Sequence, residues 1–148
     1  MVRLGIGLYG ISVVDQTKLR NVSTLKSTIL QIKQVHAGET VGYGRKGKPD
    51  KQSIIAVVPV GYADGLNRRL SNGHGAFLVR GKLAPIIGNI CMDMTMIDVT
   101  GLHAEEGDEV VIFGEGNPIS DVARRLKTIP YEVLTGVSER VKRVYFYE

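Results

Sequence analysis

Two tyrosines stand in glycine-rich settings that suit proton transfer, in Val41-Gly42-Tyr43-Gly44-Arg45 and in Val60-Gly61-Tyr62-Ala63-Asp64-Gly65. A positioned phenol can give or take a proton in a transition state. Glycine on both sides of Tyr43 opens backbone angles closed to other residues and leaves the ring uncrowded. Between the tyrosines, Ser53 to Val60 is an apolar, β-branched run of strand length, so each ring is set at one end of a buried strand. The same placement suits tyrosines that merely pack on a barrel rim. A third stretch, Gly5-Ile6-Gly7-Leu8-Tyr9-Gly10, fits the G-x-G-x-x-G pattern of dinucleotide sites, which requires a strand before it and a helix after it. The chain offers too little sequence for the first, and Ile11-Ser12-Val13-Val14 is β-branched rather than amphipathic. No nicotinamide site is expected. Closely spaced N–H groups in such a turn can still hold a phosphate, with Arg3 just upstream.

The elements that must carry these residues read as mainly β. At 148 residues, 43% hydrophobic and 23% charged, the chain can bury one core. From Val22 the pattern is that of strands, with Thr28 to His36 closed by a turn at Gly38. Gly44 to Lys51 is polar and broken by glycine and proline, as in an exposed loop. Leu66 to Leu70 makes at most one helical turn. Ala76 to Arg80 and Lys82 to Ile87 form a hairpin about Gly81. Met94 to Thr100 and Asp108 to Phe113 are further strands. One helix begins near Asn117-Pro118, with Asn117 or Ser120 as its cap. A turn at Tyr131 to Thr135 and a final strand over Arg140 to Tyr147 complete a closed or nearly closed β-barrel with one short inserted helix.

Composition narrows the classes of function. The lone Cys91 excludes an internal disulfide and a multi-cysteine metal cage, and suits a reducing compartment. His36, His74 and His103 have no ligand spacing, so no metal is expected. No apolar run approaches membrane-spanning length and no charged leader precedes one, which points to a cytoplasmic chain without a membrane partner. The net charge of +4 is scattered rather than massed. The opening Val2-Arg3-Leu4-Gly5 leaves no room for a first element, as in a piece of something longer.

Taken together, Val2 to Gly10, Val41-Gly42-Tyr43-Gly44, Gly61-Tyr62-Ala63-Asp64-Gly65, Gly88-Asn89-Ile90-Cys91-Met92-Asp93 and Tyr131-Glu132-Val133 resemble the C-terminal signatures of alanine racemase, in the family's order. The resemblance implies a Greek-key β-barrel domain at residues 17–148. Residues 1–16 would be the remnant of the last strand and phosphate loop of an N-terminal (β/α)8 barrel. It implies pyridoxal 5'-phosphate as cofactor, a head-to-tail homodimer, and interconversion of L- and D-alanine for peptidoglycan. Tyr43 matches the family's tyrosine base, which acts on the L-face in the partner subunit's site. A phenol must lose its proton to act as a base, and a nearby positive charge such as Arg3 promotes this. Arg3 matches the partner of the ring nitrogen, to which a guanidinium cannot hand a proton. Gly5 and Ile6 match backbone donors to the cofactor phosphate, and Tyr131 a hydroxyl on it. The N–H of Met92 matches a contact to the substrate carboxylate, while Tyr62 and Asp93 match residues lining the substrate's route in.

Two departures stand out. Asn89 occupies a position where the family often has arginine. The lysine that holds the cofactor covalently has no counterpart, since Lys26, Lys33 and Lys82 fall in polar or turn contexts. The expected partners are therefore the enzyme's own N-terminal barrel, a second copy and a small amino acid, with the chain inactive by itself and no nucleic acid bound. The rival reading is a basic β-barrel that binds nucleic acid through Arg45, Lys46, Lys48 and an Arg140-Lys142-Arg143 strand, which needs interleaved aromatic residues for stacking. A bare assembly module is the third reading.

Overall fold

The computed structural model describes residues 5–12 and 14–146. Among them, β1 (Leu25–Thr28), β7 (Glu109–Phe113), β4 (Ala76–Val79) and β5 (Lys82–Pro85) form one antiparallel sheet in that order. A second contains β2 (Gln31–Val35), β3 (Ser53–Val58) and β6 (Thr95–Asp98), again antiparallel. The sheets meet at both edges. Ile29 donates to Asp108 O at 2.9 Å and Leu30 to Val57 O at 2.9 Å, so β1 and β2 are one bent strand serving both sheets. At the other edge Ile86 bridges Ile97, and Ile87 donates to Met96 O at 2.9 Å. The barrel expected from the pattern of short strands follows from these two corners.

Side chains of Ile29, Val58, Phe77, Ile86, Ile97 and Ile112 fill the interior. β3 is buried on both faces, unlike a half-exposed strand. Ala56 and Val58 point into the barrel, whereas Ile55 joins Val41, Cys91 and Met96 in a second cluster, with Val57 packed against it. That second cluster is the floor under the loops that bear Tyr43 and Met92. The β4–β5 hairpin turns through Arg80 (φ 47°) and Gly81 (φ 74°), the paired left-handed angles of a tight two-residue hairpin turn. Arg80 is held there by Asp108, with Nε 2.7 Å from the carboxylate.

Helix α1 (Ile119–Leu126) turns Ile119, Val122, Ala123 and Leu126 onto the core. Its cap residue is Pro118 with no side-chain cap, so neither Asn117 nor Ser120 has the role expected of it. Asn117 is buried instead and donates to Ala76 O at 3.1 Å and Ile112 O at 2.7 Å, tying β4 to β7. A second helix, α2 (Pro130–Thr135), replaces the expected turn, with proline pre-setting its first residue. The expected terminal strand is absent: residues 140–146 lie in no strand. The guanidinium of Arg143 folds back to the carbonyls of Val137, Ser138 and Val141, and Tyr145 and Phe146 project outward. Local carbonyl acceptors thus satisfy Arg143. Among the described residues no helix is long and apolar enough to cross a membrane, and no group of His, Cys, Asp and Glu could hold a metal ion.

At Gly65 (φ 99°) a Cβ would sit 1.9 Å from Gly136 O, whereas at Gly101 (φ 76°) it would meet open space. Gly101→Ala should cost about 1 kcal/mol for the left-handed backbone alone, and Gly65→Ala about 3 kcal/mol or more because the end of the Tyr62–Asp64 turn and the end of α2 must separate. Urea midpoints of the two variants measure the difference, and equal midpoints would show that the Gly65–Gly136 contact is not tight.

Candidate functional site

Tyr43 opens a 3-10 turn, Tyr43–Arg45, between Gly42 (φ 75°) and Gly44 (φ 67°), angles that suit glycine at both places. Val41 and Gly47 close the loop at its root by reciprocal bonds of 2.8 and 3.1 Å. The ring is 58% exposed, so its hydroxyl is approachable. The loop leans on the segment after β5. A Cβ on Gly88 would lie 2.7 Å from Val41 O, and Asn89 Nδ2 donates to Tyr43 O at 3.0 Å. Asn89 Oδ1 in turn accepts from Asn72 Nδ2 at 3.1 Å.

The same segment continues into Met92 and Asp93 and is welded to the 3-10 turn Tyr62–Asp64. Tyr62 donates to Cys91 O and Ala63 to Met92 O, each at 3.0 Å. Gly61 allows this approach, since a Cβ there would be 2.3 Å from Met92 O. The N–H of Met92 meets no acceptor among the described residues. Asp64 accepts from Gly61 N–H at 2.8 Å and from Arg140 Nε at 2.7 Å, and the same guanidinium reaches Asp93 at 2.6 Å. Burial pushes the Asp64 carboxyl up, but the Arg140 hydrogen bond, the Gly61 N–H and the Arg140 charge outweigh it and hold it below the usual carboxylate range. Hydrogen bonds to Asp64 and then Asp93 raise Arg140 against its partial desolvation. Arg68 lies over the Tyr62 ring at 5.9 Å, a cation–π distance.

Gly5 precedes the 3-10 turn Ile6–Tyr9, and a Cβ on it would be 2.8 Å from the Tyr131 hydroxyl. The hydroxyl and the start of the turn thus face one small space that only glycine leaves open, with a hydroxyl donor on one side and backbone on the other. That chemistry fits a phosphate. Arg3 lies outside the described residues. Among the described residues no hydrogen bond or ion pair joins this pair to the Tyr43, Tyr62, Met92 and Asp93 group. The described contacts link Tyr43, Tyr62, Met92 and Asp93 through the 88–93 segment, and Gly5 with Tyr131 by close approach.

Sequence reasoning missed Arg140, whose signal was hidden in a basic run, and Asn72, whose pairing partner is distant in sequence. The nucleic-acid reading loses its basic strand, because Arg140 is held by two carboxylates and Arg143 by three carbonyls. Arg45, Lys46 and Lys48 line an open hollow of about 730 Å³ beside the Tyr43 loop.

These features define a β-barrel domain whose rim bears exposed tyrosines, a main-chain N–H that meets no acceptor among the described residues, and a tyrosine hydroxyl close against a glycine-rich turn. The family model for "Alanine racemase, C-terminal domain" matches residues 22–145. Alanine racemase 2 of Caldanaerobacter subterraneus subsp. tengcongensis is 50% identical, the alignment covering 99% of this chain and 40% of that protein. The Helicobacter pylori alanine racemase is 41% identical over 98% of this chain and 41% of its own length. Among solved structures, alanine racemase from Streptomyces coelicolor superposes with a TM-score of 0.92 at 38% identity, covering 99% of this chain and 41% of that one. The Bartonella henselae enzyme, solved with covalently bound pyridoxal phosphate, gives 0.88 at 35% identity over 96% of this chain and 40% of that one. The chain belongs to the alanine racemase family, as its C-terminal domain, and spans about 40% of the length of the curated relatives it matches.

The Asp64 carboxyl titrates below its ordinary 3.8 in the folded chain, so its stabilisation is fully present above that value and is lost as pH falls through the lowered one. Asp64→Asn should cost about 1–2 kcal/mol at neutral pH, a charged hydrogen bond discounted for the solvent at Arg140, and should flatten the acid limb of stability. Urea denaturation at pH 7 and pH 3 measures both, and an unchanged acid limb would show that the pair contributes nothing.

Proposed function

We propose that this domain is the C-terminal part of a pyridoxal-phosphate-dependent alanine racemase, supplying the tyrosine base to the site of a partner subunit. The observation that carries the reading is the exposed Tyr43, on a glycine-flanked loop tied through Asn89 to the segment that bears the Met92 N–H, which meets no acceptor among the described residues. Family membership and matched relatives along nearly the whole chain support it. Residues 1–16 read as the end of the catalytic barrel and residues 17–148 as the β-domain. The alanine substrate, the homodimer, the cytoplasmic setting and the supply of D-alanine to peptidoglycan belong to the same proposal.

When bound, pyridoxal phosphate supplies an electron-withdrawing ring that makes the α-hydrogen of an attached amino acid acidic. The backbone N–H groups of Gly5 and Ile6 and the Tyr131 hydroxyl would hold its phosphate, with Arg3 toward the ring nitrogen. Met92 N–H holds the substrate carboxylate, and this fixes which face of the α-carbon is turned to the base. Tyr43 Oη removes or returns the proton on the L-face. Tyr62 and Asp93 border the route in, where the Arg140 contact keeps Asp93 from presenting a free negative charge to an incoming carboxylate. Racemisation needs a second base on the opposite face. No lysine of this chain has a setting that suits it, so that base and the covalent anchor fall to the barrel.

A full-length parent made in two inactive forms, Tyr43→Phe and a lysine-less barrel, tests the shared site. In a mixed dimer one site regains both groups and the other lacks both. Random exchange of subunits should restore about a quarter of wild-type activity, because a head-to-tail pairing draws each site from both chains. Activity assayed before and after exchange, with mixed dimers confirmed by mass, measures this. Persistent inactivity would mean that Tyr43 serves its own chain or is no base.

A further inference from the structure

The Tyr43 loop has few ties to the barrel. Within residues 42–46 the described hydrogen bonds stay local, from Arg45 N to Gly42 O at 3.2 Å and from Arg45 Nε to Thr40 Oγ1 at 3.1 Å. The single exception among the described residues is Asn89 Nδ2 to Tyr43 O at 3.0 Å. With glycine on both sides at left-handed angles, the Tyr43 peptide has wide freedom to rotate unless something outside the loop fixes it.

The Asn89 amide can meet its neighbours in only one orientation. Tyr43 O is an acceptor, so the amide must turn its NH2 there, which leaves Oδ1 for the NH2 of Asn72 at 3.1 Å. Asn72 is itself held. Its left-handed backbone (φ 55°), which asparagine tolerates, sends its N–H to Gly88 O at 2.9 Å, and Gly73 N–H meets Ile86 O at 2.7 Å. Gly42 packs against the same segment: a Cβ there would reach ordinary contact with the backbone O and N of Asn89, at 3.4 and 3.6 Å, and would crowd Met96 Cε at 2.7 Å. A relay therefore runs from the barrel backbone through Asn72 and Asn89 to the peptide that carries the Tyr43 ring.

We propose that Asn89, oriented by Asn72, is a positioning residue that sets where the Tyr43 hydroxyl stands. This rests on the reading of Tyr43 as the L-face base. A base displaced by about 1 Å loses rate steeply while binding survives. The barrier raised is that of the L-face step alone, abstraction from L-alanine in one direction and return of the proton in the other, whereas abstraction from D-alanine uses the base on the other face.

The test uses the full-length enzyme with Asn89→Asp, which keeps the acceptor for Asn72 but removes the donor to Tyr43, with Asn89→Ala and Asn72→Ala beside it. For Asn89→Asp and Asn89→Ala, kcat/KM should fall roughly tenfold in both directions, as an equilibrium constant of one demands. The deuterium isotope effect should rise with α-deuterated L-alanine and stay or fall with α-deuterated D-alanine. Asn72→Ala should shift both readouts in the same sense by less. Independently of turnover, amides of residues 42–46 should exchange hydrogen faster in all three variants. Unchanged exchange and isotope effects, or isotope effects that rise equally for both enantiomers, would overturn the proposal. Full activity of Tyr43→Phe would instead overturn the role of Tyr43, and with it any reason to position that residue.

Discussion

Main chain packed directly on main chain is the constraint from which the rim of this domain is built. Gly61 lies so close to the Met92 carbonyl that no side chain fits between them, and the next two N–H groups, of Tyr62 and Ala63, bond to Cys91 and Met92. Thr95 Oγ1 adds a buried bond of 2.7 Å to Val60 O. The 61–65 turn and the 88–94 segment therefore behave as one body. Loops ordinarily hold functional groups loosely, because few contacts fix them. Here Tyr62, Met92 and Asp93 inherit the rigidity of β3 and β6, whose outer face is itself buried.

Charge plays a secondary part. Arg140 joins Asp64 to Asp93, but its side chain is 44% exposed, so the energy it contributes is screened and its value is mainly geometric. It fastens the segment that follows α2 across the joined loops. The opposite arrangement holds near Gly5, where the neutral Tyr131 hydroxyl lies close against backbone. One rim region is thus tied by an ion pair and the other is packed through neutral groups.

Much of the scaffold could be read from residue order. The β-branched run into Gly61, the hairpin at Gly81 and the glycines around Tyr43 declare themselves locally, because periodicity and left-handed angles are properties of neighbouring residues. The second helix was obscured by its shortness: Pro130 and a Thr135 hydroxyl bond to Tyr131 O stabilise six residues that composition alone reads as a turn. The terminal segment misled in the opposite direction. Val141, Val144, Tyr145 and Phe146 have strand-like composition, yet none of the four lies in a strand. Asn89, Asn72 and Arg140 illustrate a deeper limit, since their importance arises from partners 17 to 76 positions away, and no local pattern encodes such a pairing.

The bent strand that closes the barrel also governs how the chain reaches its fold. β1 pairs with β7, and Lys26 contacts Glu109 across 83 positions of sequence. Closing so long a loop must precede any reward from the contacts it makes, which places the domain among slow, high-contact-order folders working over milliseconds to seconds. Until β7 arrives, β1 and β4 are open edges, and the apolar faces of both sheets are unprotected. The interval before closure is therefore when neighbouring chains are most prone to pair with it.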